Sequence, residues 1–211
     1  MPSPSRAAGL LPALAWSNVA LHGAGLAFAW FALRPGSVTV PLADRMAYLA
    51  SQPPAWAWGW GVWALCSLLL VAFLAALQGT LLERSSLAQL ALVLAGAGMA
   101  VDLLCDLIQV RVLPLATEEP TLFLIFERIA FTGGFTVANG LYTAGLLCMN
   151  LRLRRLISAP AWISGWITVL FGTAMAFAGL FPVEALVMVS TGPTILFYSL
   201  WTVLIARDLS R

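Results

Sequence analysis

Residues 87–112, "LAQLALVLAGAGMAVDLLCDLIQVRV", decide the fold of this chain. They form an apolar run long enough to cross a bilayer as a helix, since about 20 apolar residues span the hydrocarbon. Two carboxylates, Asp102 and Asp106, interrupt the run four residues apart, so they share one helical face. An unpaired charge at membrane depth costs several kcal/mol, which makes a partner, neutralisation or a water-filled cavity necessary.

Working outward, the rest of the chain reads the same way. Of its 211 residues 61% are hydrophobic and only 9% charged, and the mean hydropathy is +0.93. Soluble domains carry about a quarter charged residues, so the composition is that of an integral membrane protein. Windows of spanning length fall at 9–33, 56–81, 87–112, 122–150, 157–180 and 183–206. Breakers separate them: "RPGS" (34–37), "SQPP" (51–54), "ERSS" (83–86), "LPLATEEP" (113–120), "SAP" (158–160) and "GLFPVE" (179–184). The alternation expected of barrel strands is missing. The expectation is an all-α polytopic bundle of six transmembrane helices in a single domain, 1–211.

Arginine placement sets orientation, because cytoplasmic loops are enriched in basic residues. With the N-terminus inside, Arg6, Arg84, Arg152, Arg154, Arg155, Arg207 and Arg211 fall on the cytoplasmic side and Arg34, Arg45 and Arg111 outside. Both termini are therefore expected in the cytoplasm, the protein lying multi-pass in a bacterial inner membrane. The apolar run at the N-terminus is longer than the core of a signal peptide and is read as an uncleaved anchor. "VPLADRMAYLA" (40–50) is too short and too charged to span, but Leu42, Met46 and Leu49 recur at helical spacing. It is expected as an interfacial helix in the first outer loop.

Depth then places the polar residues, at about 1.5 Å per residue. Asp102 sits slightly outside the midplane, Asp106 one turn further out, and Gln109 continues their face. The antiparallel fourth span brings Glu127 and Arg128 down to the level of Asp106, which makes them candidate partners. Arg128, Thr132, Asn139, Thr143 and Asn150 then run down one face, with Tyr142 beside it. Glu184, Thr191, Thr194, Tyr198 and Thr202 form a second line on the sixth span, and Asn18 with His22 a third on the first. Converging lines would make a polar interior. Interhelical hydrogen-bond glue is the plainer alternative for the Thr and Asn residues, and a core histidine bonded to a carbonyl for His22.

The Trp run "AWAWGWGVW" (55–63), with Trp56, Trp58, Trp60 and Trp63, reads as an interfacial belt, or alternatively as a stacking wall for a ligand. "LAGAGMA" and Gly133, Gly134, Gly140 and Gly145 read as notches where helices approach closely. Cys66, Cys105 and Cys148 lack any Cys-x-x-Cys pattern and read as small buried hydrophobes.

Absences narrow the chemistry. A single histidine excludes histidine-box oxygenases and bis-histidine haem bundles, and the lack of lysine excludes a retinal Schiff base. No phosphate loop or nucleophile elbow is present. Net charge of +2 gives no reason to expect nucleic acid, and neither metal nor cofactor is expected. Acid, base and aromatic chemistry remains.

"LADRMAYLA" followed by "PPAWAWGWGVWALC", with "VDLLCD" and "FERIAFTGGFTVANGLY", resembles uncharacterised six-helix bacterial membrane proteins, a resemblance that implies a fold and little about activity. "FPVEAL" (181–186) faintly resembles a Pro-x-Glu-Glu motif of small membrane carotenoid cyclases, with Ala185 where the second acid stands. It singles out Glu184 alone.

Two functional expectations follow. In the first, a pocket in the outer half binds a hydrophobic or amphiphilic molecule such as a lipid or isoprenoid. Asp102, Asp106 or Glu127 act there as acid or base, in an isomerisation or cyclisation. Arg128, Gln109, His22, Asn139, Tyr142, Glu184, Trp60 and Trp63 bind. In the second, the same acids serve a proton-coupled carrier with a relay through Glu184, His22 and Asn139. A subunit contacting other membrane proteins is a third reading. Membrane lipids are the expected surroundings, and homodimerisation is left open.

Overall fold

The computed structural model describes residues 4–81, 85–181 and 183–210, apart from the side chains of 4–8 and of Glu184. Arg84 and Arg211, counted above for orientation, lie outside the described residues, as does the Arg6 side chain. Helices dominate the described residues: α1 Pro4–Phe28, α2 Leu42–Ala50, α3 Pro54–Thr80, α4 Ser86–Leu107, α5 Pro120–Phe131, α6 Asn139–Leu153, α7 Ala159–Leu180 and α8 Glu184–Leu209. No strand occurs among them.

Proline and serine mark the starts. Pro54 and Pro120 each fill a first helical position, where a missing N–H costs nothing. Ser158 precedes α7 in extended conformation, and its N–H donates to Asp208 Oδ2 at 2.8 Å, tying the end of α8 to the start of α7.

Among the described residues five helical stretches are long and apolar enough to cross a membrane: Pro54–Thr80, Ser86–Ala116, Pro120–Leu153, Ala159–Leu180 and Ala185–Leu209. These are the helices of a multi-pass membrane protein. The N-terminal stretch, α1, is long enough but does not reach the same hydropathy, because Ser17, Asn18, His22 and three glycines dilute it. Large apolar side chains such as Trp58, Val93, Leu170 and Leu196 are exposed on the outside of the bundle, the arrangement lipid favours.

The long helices form a closed ring in chain order: α1 packs on α3, α3 on α4, α4 on α6, α6 on α7, α7 on α8, and α8 returns to α1. Glycine brings α4 and α6 together. A Cβ on Gly145 would stand 2.9 Å from the Ala91 carbonyl oxygen, and one on Gly98 would stand 3.0 Å from that of Ala138. The notch reading holds at these two and at Gly133, where a Cβ would meet Cys105 Sγ at 2.5 Å. Gly96 faces open space instead.

Among the described residues π-helix occurs at three places: Ala29–Leu33 after α1, Ile108–Val112 after α4, and Thr132–Ala138 between α5 and α6. A π-turn widens the helix and leaves a carbonyl without its usual partner. Each segment has a carbonyl taken by a side chain from nearby. Tyr48 Oη donates to Ala32 O at 2.7 Å, Trp56 Nε1 to Gln109 O at 2.8 Å, and Asn139 Nδ2 to Gly134 O at 2.9 Å.

The π segment at 132–138 also corrects the sequence reading of the fourth span. Spacings of four and seven from Arg128 to Asn139 keep one face only on an unbroken α-helix. The wider turn rephases the chain, so Arg128 is exposed while Asn139 and Thr143 point inward.

Candidate functional site

Inside the ring lies a cavity of about 430 Å³, within the range of small-molecule sites. It reaches from Arg34, Ser37 and Thr39, at the end that carries α2, down to Leu70, Leu146 and Thr168. These floor residues stop roughly 10–15 Å short of the opposite helix ends at 1.5 Å per residue. Below them the interior is apolar and closed: Leu11, Phe73, Leu77, Met149, Leu153 and Ile205 are fully buried in one cluster. The buried polar residues of that layer are satisfied: Asn150 donates to Trp162 O at 3.2 Å and accepts from Trp201 Nε1 at 3.1 Å, Ser164 Oγ donates to Ala161 O at 2.8 Å, and Thr202 Oγ1 donates to Ser199 O at 2.8 Å.

Each π segment contributes to the wall, through Trp30 and Leu33, Gln109, and Gly134 and Phe135. The sequence carries no pattern that announces these turns, yet they set which side chains face inward.

Nine of the eleven residues singled out from the sequence line the cavity: Asp102, Asp106, Glu127, Gln109, His22, Asn139, Tyr142, Trp60 and Trp63. Arg128 does not, being exposed on the far side of α5. The Glu184 side chain lies outside the described residues.

The expected pairing of Arg128 with the interior acids is replaced by another. Arg45 Nε donates to Glu127 Oε1 at 2.7 Å and Arg45 Nη2 to Glu127 Oε2 at 2.8 Å, both residues buried. The third nitrogen, Nη1, donates to Val40 O at 2.7 Å. Arg45 thus belongs to the interior rather than to the solvated loop charges used for orientation. It holds α2, whose Leu49 packs with Leu33, Trp56, Leu113 and Phe123, across the end of the bundle. Sequence spacing could not reveal this pair, because its members are 82 residues apart.

With Glu127 occupied, the aspartates differ. Asp102 Oδ2 accepts from Tyr142 Oη at 3.2 Å. Asp106 is 6% exposed, and its Oδ2 is buried with no hydrogen-bond partner among the described residues. Trp60 Nε1 is in the same state. Thr136, Ser158 and Trp162 also carry unpartnered buried atoms but do not line the cavity.

The other polar residues divide between wall and glue. His22 is buried, and its Nδ1 donates to Asn18 O at 2.9 Å; a carbonyl can only accept, so Nδ1 carries the proton. Its ring packs against Tyr198 and Trp63, with centroids 5.1 and 6.3 Å away. Asn18 is fully committed: Nδ2 donates to Leu14 O and Leu69 O, and Oδ1 accepts from Tyr198 Oη at 3.1 Å. That fits hydrogen-bond glue joining α1, α3 and α8.

The Trp run splits by face. Trp56, Trp60 and Trp63, spaced by four and three, line the cavity, whereas Trp58 is exposed. The belt reading therefore suits Trp58, and the other three form an inner wall.

No family model, curated protein or solved structure matches the chain. Functional interpretation accordingly rests on the cavity's own chemistry.

Proposed function

We propose that this is a six-span inner-membrane protein whose outer-half cavity binds a hydrophobic or amphiphilic molecule. The carrying observation is the pair of unpartnered buried atoms on the wall, Asp106 Oδ2 and Trp60 Nε1. Buried polar atoms are nearly always hydrogen-bonded, so an acceptor and a donor left unpaired on two residues that line one cavity argue for an occupant that completes them. The remaining wall, including Leu26, Phe131, Phe135 and Ile195, suits an apolar body. We assign proton exchange with that occupant to Asp106, with Asp102 held beside it by Tyr142. Glu127, bonded through both oxygens to Arg45, serves as an anchor.

The proton-coupled carrier is the weaker reading. A carrier needs a polar route through the other half of the bundle, and the closed apolar layer of Phe73, Leu77, Met149 and Ile205 supports a blind pocket instead.

Purification in native nanodiscs followed by mass spectrometry tests the proposal. One molecule should be enriched over bulk lipid with the wild type and depleted with Thr194→Trp, which fills the cavity from α8. Identical lipid profiles for the two proteins would overturn it.

A further inference from the structure

Resting on that reading of the cavity, we infer that its occupant is a cationic amphiphile: an apolar-tailed molecule whose protonated amine sits between Asp106 and the Trp60–Trp63 wall.

Charge balance around the cavity leads to this class. Among the described residues three carboxylates line it, on Asp102, Asp106 and Glu127. Arg45 neutralises Glu127 through two short bonds. No arginine makes an ion pair with Asp102 or Asp106 among the described residues. Arg34, at the rim, is exposed, with its guanidinium over the Trp30 ring at 4.6 Å from the centroid. Arg111 and Arg128 are exposed. Among the described residues the interior thus holds two acids with no cation paired to them, in a setting where uncompensated charge is costly.

Aromatic groups supply the second argument. Trp30, Trp56, Trp60, Trp63, Tyr142 and Tyr198 all contribute to the lining. Their ring faces are electron-rich and attract cations, most strongly when water is excluded. An anionic headgroup would meet two carboxyl groups and these rings, and a neutral one would leave the acids to be neutralised by protonation alone.

Hydrogen bonding narrows the cation. Asp106 Oδ2 is an acceptor lacking a donor, and a protonated amine offers N–H where a quaternary ammonium offers none. The simplest amphiphile that meets all three conditions is a long-chain amine, protonated at neutral pH as lysine is.

The test uses radiolabelled dodecylamine with the full chain in nanodiscs, empty nanodiscs being subtracted. Saturable binding is expected, displaced by unlabelled dodecylamine and poorly by dodecanol or dodecanoate at equal concentration. Asp106→Asn should weaken it about tenfold or more, the worth of a charge-assisted hydrogen bond, and Asp106→Glu should recover part of the loss. Thermal stability of each variant is measured alongside, and the wild-type competition order decides the matter if Asp106→Asn does not fold. Saturable binding displaced equally well by dodecanol or dodecanoate overturns the cation inference and leaves the pocket standing. Absence of saturable dodecylamine binding overturns the cation inference, and absence of an enriched molecule in the mass spectra as well overturns both.

Discussion

Arg45 and Glu127, 82 residues apart in sequence, meet through two parallel hydrogen bonds of 2.7 and 2.8 Å in the buried end of the bundle. Together with the Tyr48 Oη–Ala32 O hydrogen bond, this fork links α2 to the long helices, and it removes one acid from the cavity's chemistry.

Removing either partner leaves a buried charge alone, so Arg45→Met and Glu127→Leu should each cost about 3–5 kcal/mol. The double variant Arg45→Met/Glu127→Leu should recover most of that, because two packed apolar groups replace the pair. Thermal unfolding of the four proteins in detergent closes the cycle. Additive losses would show that the two side chains do not depend on each other.

Tyr48 and Trp56 each donate to a carbonyl of a π segment, at Ala32 and Gln109. Tyr48→Phe strands the Ala32 oxygen, which is flanked by buried residues, and should cost about 1–3 kcal/mol. Trp56→Phe should cost at least as much, since indole volume is lost as well. Hydrogen exchange should accelerate at residues 29–33 in the first case and at 108–112 in the second. Uniform acceleration across the bundle would argue instead for general loosening.

The arginine distribution expects the end bearing α2 to face outward. Ser37, beside the cavity mouth, and Ile157, between α6 and α7, lie at opposite ends. In a background lacking Cys66, Cys105 and Cys148, a membrane-impermeant maleimide added to intact cells should label Ser37→Cys and leave Ile157→Cys unlabelled until lysis. The reverse pattern would invert the topology while leaving the bundle unchanged.

Fold class was legible in the chain because a bilayer imposes a simple rule: every backbone group is satisfied within its own segment, so apolar runs of spanning length become helices. The breakers mark the joints, and α2 appears at Leu42–Ala50 where residues 40–50 promised a short helix. Asp102 and Asp106 could be placed on one inward face because α4 is regular through both of them. The hydropathy of α1 shows the limit of the same rule, since Asn18 and His22 lower it for the sake of interior contacts.

Partner choice was decided by tertiary structure alone. Glu127 has a cation next to it in sequence, Arg128, yet bonds to Arg45, because adjacent residues on a helix point about 100° apart and here Arg128 turns outward while Glu127 faces the interior. Two of the three π segments, 29–33 and 108–112, have the same origin, whereas the Gly134 carbonyl of the third is taken by Asn139 of the same span. A local change of helical pitch is stabilised by hydrogen bonds that arrive from residues such as Tyr48 and Trp56 elsewhere in the chain. Periodicity within one segment carries no record of those partners.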